Sequence, residues 1–437
     1  MIWAFMDVLG RRLVLWCALS VLLALPMLAW GGAFPRGVAA MFLAWGAVDG
    51  FLGLAARWSA ERSRRRHGST GAIAVRDTRR LRLLLLANAG LDVLYIVGGA
   101  WLWGTGGDAF AAGCGFGIVL QGAFLLAFDL VHARWVPSAA PIFPADAELY
   151  PGAKHLGFRL EAEDAPPDAA ARPVPVAGRT RDGALLLHGF GGTPAELRGI
   201  AAVLASDGWV VEVPLLLGFG PEIRSLPDVR WADWVAEVEA AAARVRADAP
   251  GRFLVTGHSM GASLALATAA RLRPEGLVLL APFSWPEPRW LRLLAPLARA
   301  VLPPGIRPFQ RQDLDLDAAE VRAGITSFLP GMNLDDPDVR RNLREMVVPI
   351  SVFEQLFRAS REALRGASTV RAPVLAIQGL ADDVAKPDRT RRLLAALPAR
   401  PRYIELDAAH DLMTEASPAR DATLAAVLAF AREVAAD

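Results

Sequence analysis

A chain of 437 residues exceeds one ordinary domain, and 54% hydrophobic against 21% charged residues, with a mean hydropathy of +0.31, is apolar for a soluble protein. This composition excludes intrinsic disorder and a collagen-like fibre, and a formal net charge of +2 makes no case for nucleic-acid binding. The two cysteines, Cys17 and Cys114, both lie in apolar runs, so neither a disulfide framework nor a cysteine zinc site is available.

The apolar excess is uneven. Eight of the thirteen tryptophans (Trp3, Trp16, Trp30, Trp45, Trp58, Trp101, Trp103 and Trp135) fall in the first third of the chain. Four apolar runs, roughly residues 13–30, 38–56, 83–103 and 109–131, are each long enough to span a bilayer, which takes about 20 apolar residues in a helix. A cleaved signal peptide, with Arg11 and Arg12 as its basic flank, is the alternative for the first run. A second run follows after a very short loop containing Gly31, Gly32, Pro35 and Gly37, so the four runs read as two helical hairpins. Residues 1–136 are therefore expected to form an all-α, four-span transmembrane bundle.

Arginines set the expected orientation. The loop between the second and third runs carries Arg57, Arg62, Arg64, Arg65, Arg66, Arg76, Arg79, Arg80 and Arg82, whereas the loops on the other side carry only Arg36. The positive-inside rule puts the middle loop and both chain ends in the cytoplasm of a multi-pass protein of the cell membrane. Trp30, Trp101 and Trp103 would then form the outer aromatic belt, with Trp58 and Trp135 on the inner side. Asp49, Asp92 and Asp129 fall in or near the ends of spans, with Asn88 and Gln121. Polar groups at that depth cost a few kcal/mol and either hold a bundle together through hydrogen bonds or mark a small-molecule or lipid site.

From 137 to 182 the chain turns rich in proline and alanine and reads as a linker, in which 156–162 and 172–179 could form an opening β-hairpin. From 183 to 437, β-type runs (184–190, 209–215, 252–257, 277–283, 374–378 and 402–406) alternate with helical patterns such as 195–206, 231–247 and 259–273. Such alternation predicts a mostly parallel sheet with helices on both faces and functional groups at the carboxyl ends of its strands.

Three motifs carry chemistry. Gly257-His258-Ser259-Met260-Gly261 joins a strand to a helix and reads as a G-x-S-x-G nucleophile elbow, its glycines relieving the crowding of a tight turn. Leu186-Leu187-His188-Gly189-Phe190-Gly191-Gly192-Thr193-Pro194 ends the first long strand of this domain, where glycines let backbone N–H groups turn inward. The expected oxyanion donors are the N–H groups of Phe190 and Met260. A nucleotide loop is the rival, but no GK[ST] follows and the spacing is not G-x-G-x-x-G. A hydrolase of this architecture needs chain order Ser…Asp/Glu…His, and of His67, His132, His155, His188, His258 and His410 only His410 lies beyond Ser259. The acid should follow the strand 374–378, where Asp382 is preferred and its neighbour Asp383 is the alternative. The acid would orient His410 and stabilise its imidazolium.

These residues bring a family into view. The chain from about 183 to its end resembles the α/β-hydrolase superfamily, and within it the serine carboxylesterase and monoacylglycerol-lipase branch. The resemblance is carried by LLLHGFGGTPAELR, GHSMGASLAL, GLVLLAP and PVLAIQGLADDVAKP followed by AAH. Carried over by motif position, it implies Ser259 as nucleophile, Asp382 as acid, His410 as base, and Phe190 and Met260 as oxyanion donors. Ala262 stands where many relatives have a further glycine. The first 135 residues resemble, only faintly, a small bacterial four-helix membrane domain.

An interval of about ninety residues before Val374 is far longer than the usual 2–6-residue connection and predicts a cap, at about 284–366. Trp290, Leu293, Leu294, Leu297 and Val301 make one apolar helical face of it. Ile350, Phe353, Phe357 and Leu364 make another, for which a helix packed against the sheet is the preferred reading. Asp313, Asp315 and Asp317 lack the glycine and terminal glutamate of a calcium loop and read as a solvated face, and no metal or cofactor is implied. The expectation is a membrane-anchored serine esterase of lipid-like substrates, such as a monoacylglycerol or lysolipid. The rivals are acyl transfer, thioester or peptide cleavage on the same triad, a membrane sensor or transporter with a regulatory hydrolase domain, and a hydrolase fold used only for binding.

Overall fold

Long apolar runs favour continuous helices, and in the computed structural model they form four: α1 (Ile2–Trp30), which continues through Pro26, α2 (Ala33–His67), α3 (Gly71–Thr105) and α4 (Ala109–Trp135). All four are long and apolar enough to cross a membrane. The structure describes residues 2–67, 71–136, 156–162, 181–285, 350–415 and 417–436, with a few residues between 315 and 344. The chain divides into two compact units, one built on these helices and one on a sheet.

In the helical unit α1 packs along α2, α3 along α4, and α2 along α4. Close approach of α2 and α4 depends on two glycines: a Cβ on Gly37 would lie 2.1 Å from Phe110 O, and one on Gly113 would lie 2.1 Å from Phe34 O. Small residues at crossings are how apolar helices gain contact when burial from water supplies no drive. The first helix begins eleven residues before the apolar run that announces it. Arg11 donates to Asp7 at 2.8 Å, Arg57 donates to Asp7 at 3.1 Å, and the buried Arg12 donates through Nη1 to His132 Nε2 at 2.7 Å. The charges that looked like a basic flank are thus helical residues with partners inside the unit. Trp16 stacks on Phe124 and donates to Gln121 Oε1 at 2.8 Å, and Gln121 donates to Ser20 at 3.2 Å. Asp49, Asp92 and Asp129 are all buried.

The second unit is a seven-stranded sheet: β1 (Phe158–Leu160), β2 (Gly183–Leu187), β3 (Val210–Val213), β4 (Phe253–His258), β5 (Gly276–Leu280), β6 (Val374–Gly379) and β7 (Arg402–Leu406). The order is β1-β3-β2-β4-β5-β6-β7, all parallel except β1. Of the two stretches that could form an opening hairpin, 158–160 pairs antiparallel with β3 (Phe158 opposite Val213), and 172–179 lies outside the described residues.

Among the described residues six helices cover the sheet: α5 (Arg198–Ser206), α6 (Trp231–Asp248), α7 (Met260–Leu272), α8 (Ile350–Ala367), α9 (Pro387–Leu394) and α10 (Arg420–Ala436). Side chains alternate along each strand, so the sheet feeds two cores. Leu185, Leu187, Val255 and Leu279 pack with α6, α7, α8 and α9, whereas Ala184, Leu186, Leu254 and Ile377 pack with α5 and α10. In α8 the packed face is not the one the apolar spacing suggests. Val352, Ala359, Ala363 and Ala367 are buried, while Phe353 and Leu364 are exposed. The small face is needed because α8 runs close to α7, where a Cβ on Gly366 would lie 2.2 Å from Leu266 O. The other cap face, Trp290 to Val301, lies outside the described residues.

Candidate active site

The strand β4 ends at His258, and Ser259 makes the turn into α7 with φ 51° and ψ −112°, a left-handed backbone rare for a residue with a side chain. Two glycines make that turn feasible. A Cβ on Gly257 would sit 2.4 Å from Gly261 O, and one on Gly261 would sit 2.1 Å from Leu187 O on the neighbouring strand. The Ser259 N–H donates to Leu280 O at 2.9 Å, and its carbonyl accepts from Phe283 N–H at 3.1 Å, so both sides of the strained residue are tied to the end of β5. Ser259 is nearly buried at the N-terminus of α7, where unpaired N–H groups and the helix dipole favour negative charge.

Beyond β6, Asp382 turns inward. Its Oδ1 accepts from the N–H groups of Val384 at 2.9 Å and Ala385 at 2.8 Å, and its Oδ2 accepts from Gln378 Nε2 at 2.9 Å and His410 Nδ1 at 2.8 Å. Four donors thus converge on one carboxylate and fix its orientation. Asp383 is exposed, so of the two candidates Asp382 is the one that meets His410. His410 follows β7 in a loop held by Asp411, which accepts from Met413 N–H and Thr414 N–H, each at 3.0 Å. Among the described residues no hydrogen bond joins Ser259 Oγ to the His410 ring. Such links commonly tighten only around substrate.

The loop after β2 carries Phe190 between Gly189 and Gly191 (φ 76°), closed by Gly192 N–H donating to Gly189 O at 3.2 Å. Among the described residues neither Phe190 N–H nor Met260 N–H has an acceptor.

Several buried groups escaped the sequence reading. His188 accepts from Leu216 N–H through Nε2 at 3.0 Å and donates through Nδ1 to Gly189 O at 2.9 Å, so it is a neutral imidazole, and its burial lowers its pKa. Glu196 accepts from Gly189 N–H at 2.7 Å and from His258 Nδ1 at 2.9 Å. Burial alone would raise the Glu196 pKa and lower that of His258, but their mutual attraction outweighs it, so Glu196 is lowered and His258 raised. Chain order had set both histidines aside because it tests only for the base.

Gln378 is another such group: besides Asp382 it donates to Ala385 O at 2.9 Å, and it accepts from Thr390 Oγ1 at 2.6 Å. It is expected that Gln378→Leu lowers kcat for a soluble p-nitrophenyl ester about tenfold, because Asp382 loses the side-chain donor that aims it. An unchanged kcat would make Gln378 a packing residue only.

A parallel sheet with a serine at a positive-φ strand–helix turn, an acid after β6 and a histidine after β7 defines an α/β-hydrolase domain. The family model described as serine aminopeptidase, S33, matches residues 178–417, more than half of the chain, and the chain belongs to that family. A family of unknown function, DUF6992, matches residues 12–130. A thermostable monoacylglycerol lipase from a Bacillus species is 39% identical over 84 residues, which are 19% of this chain and 33% of that protein, so the match spans a third of the relative's length. Similar solved structures include one reported with the metagenome-derived lipolytic enzymes LipS and LipT (20% identity, TM-score 0.48, covering 65% of this chain and 99% of that one). The monoacylglycerol lipase of Paleococcus ferrophilus is another (18% identity, TM-score 0.44, covering 63% and 98%).

Proposed function

We propose that this protein is a membrane-anchored serine hydrolase of carboxylic esters, acting on lipid-like substrates of the monoacylglycerol or lysolipid type. The observation that carries the reading is the His410 Nδ1 to Asp382 Oδ2 hydrogen bond at 2.8 Å, in the same sheet unit as a serine at a positive-φ elbow. His410 Nε2 takes the Ser259 hydroxyl proton as Oγ bonds to the ester carbonyl carbon. The Phe190 and Met260 N–H groups hold the resulting oxyanion. Collapse breaks the carbon–alkoxide bond, and the imidazolium returns its proton to the leaving alcohol. Water repeats the sequence on the acyl-enzyme, releasing the carboxylic acid and restoring Ser259. Asp382 keeps His410 in the tautomer with its proton on Nδ1 and stabilises the imidazolium without becoming protonated.

The lipid-like substrate class is supported by the four apolar helices and by the partial likeness to a monoacylglycerol lipase. Arginine asymmetry around those helices favours a cytoplasmic hydrolase unit. The test is labelling of membrane fractions by a fluorescent fluorophosphonate, followed by hydrolysis of a chain-length series of monoacylglycerols. Amino-acid p-nitroanilides form the control arm, since the family model is that of an aminopeptidase. Labelling that Ser259→Ala abolishes, with turnover of medium- or long-chain esters, is expected. Turnover of the anilides alone would replace the esterase reading by a peptidase.

A further inference from the structure

We propose that Glu196 and His258 act as positioning residues, a buried carboxylate–imidazolium pair that holds the oxyanion loop and the His410 loop in register with Ser259. The inference rests on the serine-hydrolase reading and extends it to two residues outside the triad.

The protonation state follows from the partners. His258 Nδ1 meets Glu196 Oε1 at 2.9 Å, and His258 Nε2 meets the backbone carbonyl of His410 at 3.3 Å. With Glu196 ionised, the form its lowered pKa favours, both partners of the ring accept, so both ring nitrogens carry protons and the ring is an imidazolium. His188 shows the contrast: it accepts an N–H and is therefore neutral.

The connections reach every moving part of the proposed mechanism. His258 is the residue before the nucleophile. The same Glu196 oxygen that binds it accepts from Gly189 N–H at 2.7 Å, and Gly189 precedes Phe190. Through the His410 carbonyl the ring also anchors the base loop, and the two imidazoles stand 5.0 Å apart, centroid to centroid. The glycines of the oxyanion loop make room for the pair. A Cβ on Gly192 would meet the Glu196 carboxylate at 2.1 Å, and one on Gly189 would lie 3.1 Å from His258 Nδ1. Glu196 and His258 are 8% and 6% exposed, so removing either partner leaves an uncompensated charge away from water.

The pH dependence has a definite sign. The groups acting on His258 are Glu196 and Asp411, which favour its charge, the His410 carbonyl, which accepts its proton, and His188, which is neutral. The His258 pKa is raised, so its contribution is lost only as pH climbs through that raised value; the Glu196 pKa is lowered, so its contribution is lost only as pH falls through it. With Glu196→Gln the attraction vanishes, burial then favours the neutral ring, and one of the two N–H links must break above the ordinary histidine range.

The experiment uses the full chain in detergent micelles, as wild type, Glu196→Gln, His258→Gln and the double variant. Two readouts apply: kcat and KM for a p-nitrophenyl ester between about pH 5 and 9, and ¹⁵N imidazole signals of the histidines. Glu196→Gln is expected to lower kcat about 10- to 100-fold at alkaline pH, with KM within about twofold and a smaller deficit at the acid end. The double variant is expected to lose no more than the worse single one, because the pair acts as a unit. The signal assigned to His258 by its loss in His258→Gln should show both nitrogens protonated at about pH 8 in wild type and one in Glu196→Gln. A wild-type pH profile in Glu196→Gln, or a neutral His258 in wild type at that pH, overturns the proposal. If wild type hydrolyses no ester, the fault lies with the hydrolase reading, and the ring signals alone then decide for or against the charged pair.

Discussion

Replacing Ser259 by alanine is expected to lower kcat for a medium-chain monoacylglycerol by about 10⁶-fold, to the residual rate that oriented binding and oxyanion donors sustain without a nucleophile. The side chain is nearly buried, and among the described residues its hydroxyl forms no hydrogen bond to the rest of the fold, so alanine removes the hydroxyl and little else. The backbone bonds from Ser259 N–H to Leu280 O and from Phe283 N–H to Ser259 O do not depend on the side chain. His410→Ala is expected to cost about as much, and the two changes together scarcely more than either, because nucleophile and base act in one step. Steady-state turnover of the purified chain in detergent, with circular dichroism to verify folding, checks all three variants. A residual rate within about a hundredfold of wild type in Ser259→Ala would assign the chemistry to another group.

The second large effect concerns folding. Gly261→Ala is expected to destabilise the sheet unit by about 3 kcal/mol or more, although alanine is the better helix former by about 1 kcal/mol. The added methyl would sit 2.1 Å from Leu187 O, a backbone atom of β2 that cannot swing aside without breaking its pairing to β4. Gly199→Ala on α5 is the matched control, since its methyl would find nothing nearer than 3.6 Å, from Leu424. That variant should be stabilised by up to about 1 kcal/mol. Thermal unfolding of the two full-length variants beside wild type reads both signs at once. Equal melting temperatures for Gly261→Ala and wild type would mean that the elbow has more room than its backbone geometry allows.

Much of the hydrolase unit is legible in one dimension because its signals are local. Strand-length apolar runs, the Gly257–Gly261 elbow and the position of His410 beyond Ser259 all follow from spacing within a few residues or from chain order. Asp382 and Asp383 show the limit of that reading. They are chemically identical neighbours, and only the turn after β6 decides that one carboxylate receives the Val384 and Ala385 N–H groups and His410 while the other faces outward. On α8, the large apolar residues Phe353 and Leu364 suggested a buried face, yet closeness to α7 selects the alanine face instead. Periodicity reports which side of a helix is apolar, not how near its neighbour comes.

The amino-acid sequence by itself determined the apolar helices, the strand–helix alternation, the elbow serine and the chain order Ser259, Asp382, His410, because each is written in residues close together in the chain or in their order along it. Tertiary structure alone decided the antiparallel pairing of 158–160 with β3, the Arg12–His132 contact inside the helical unit and the Glu196–His258 link behind Ser259. Those contacts join residues 62 and 120 positions apart in the two side-chain cases. No local pattern encodes them, since each arises only when packing removes two polar groups from water and leaves each as the other's partner.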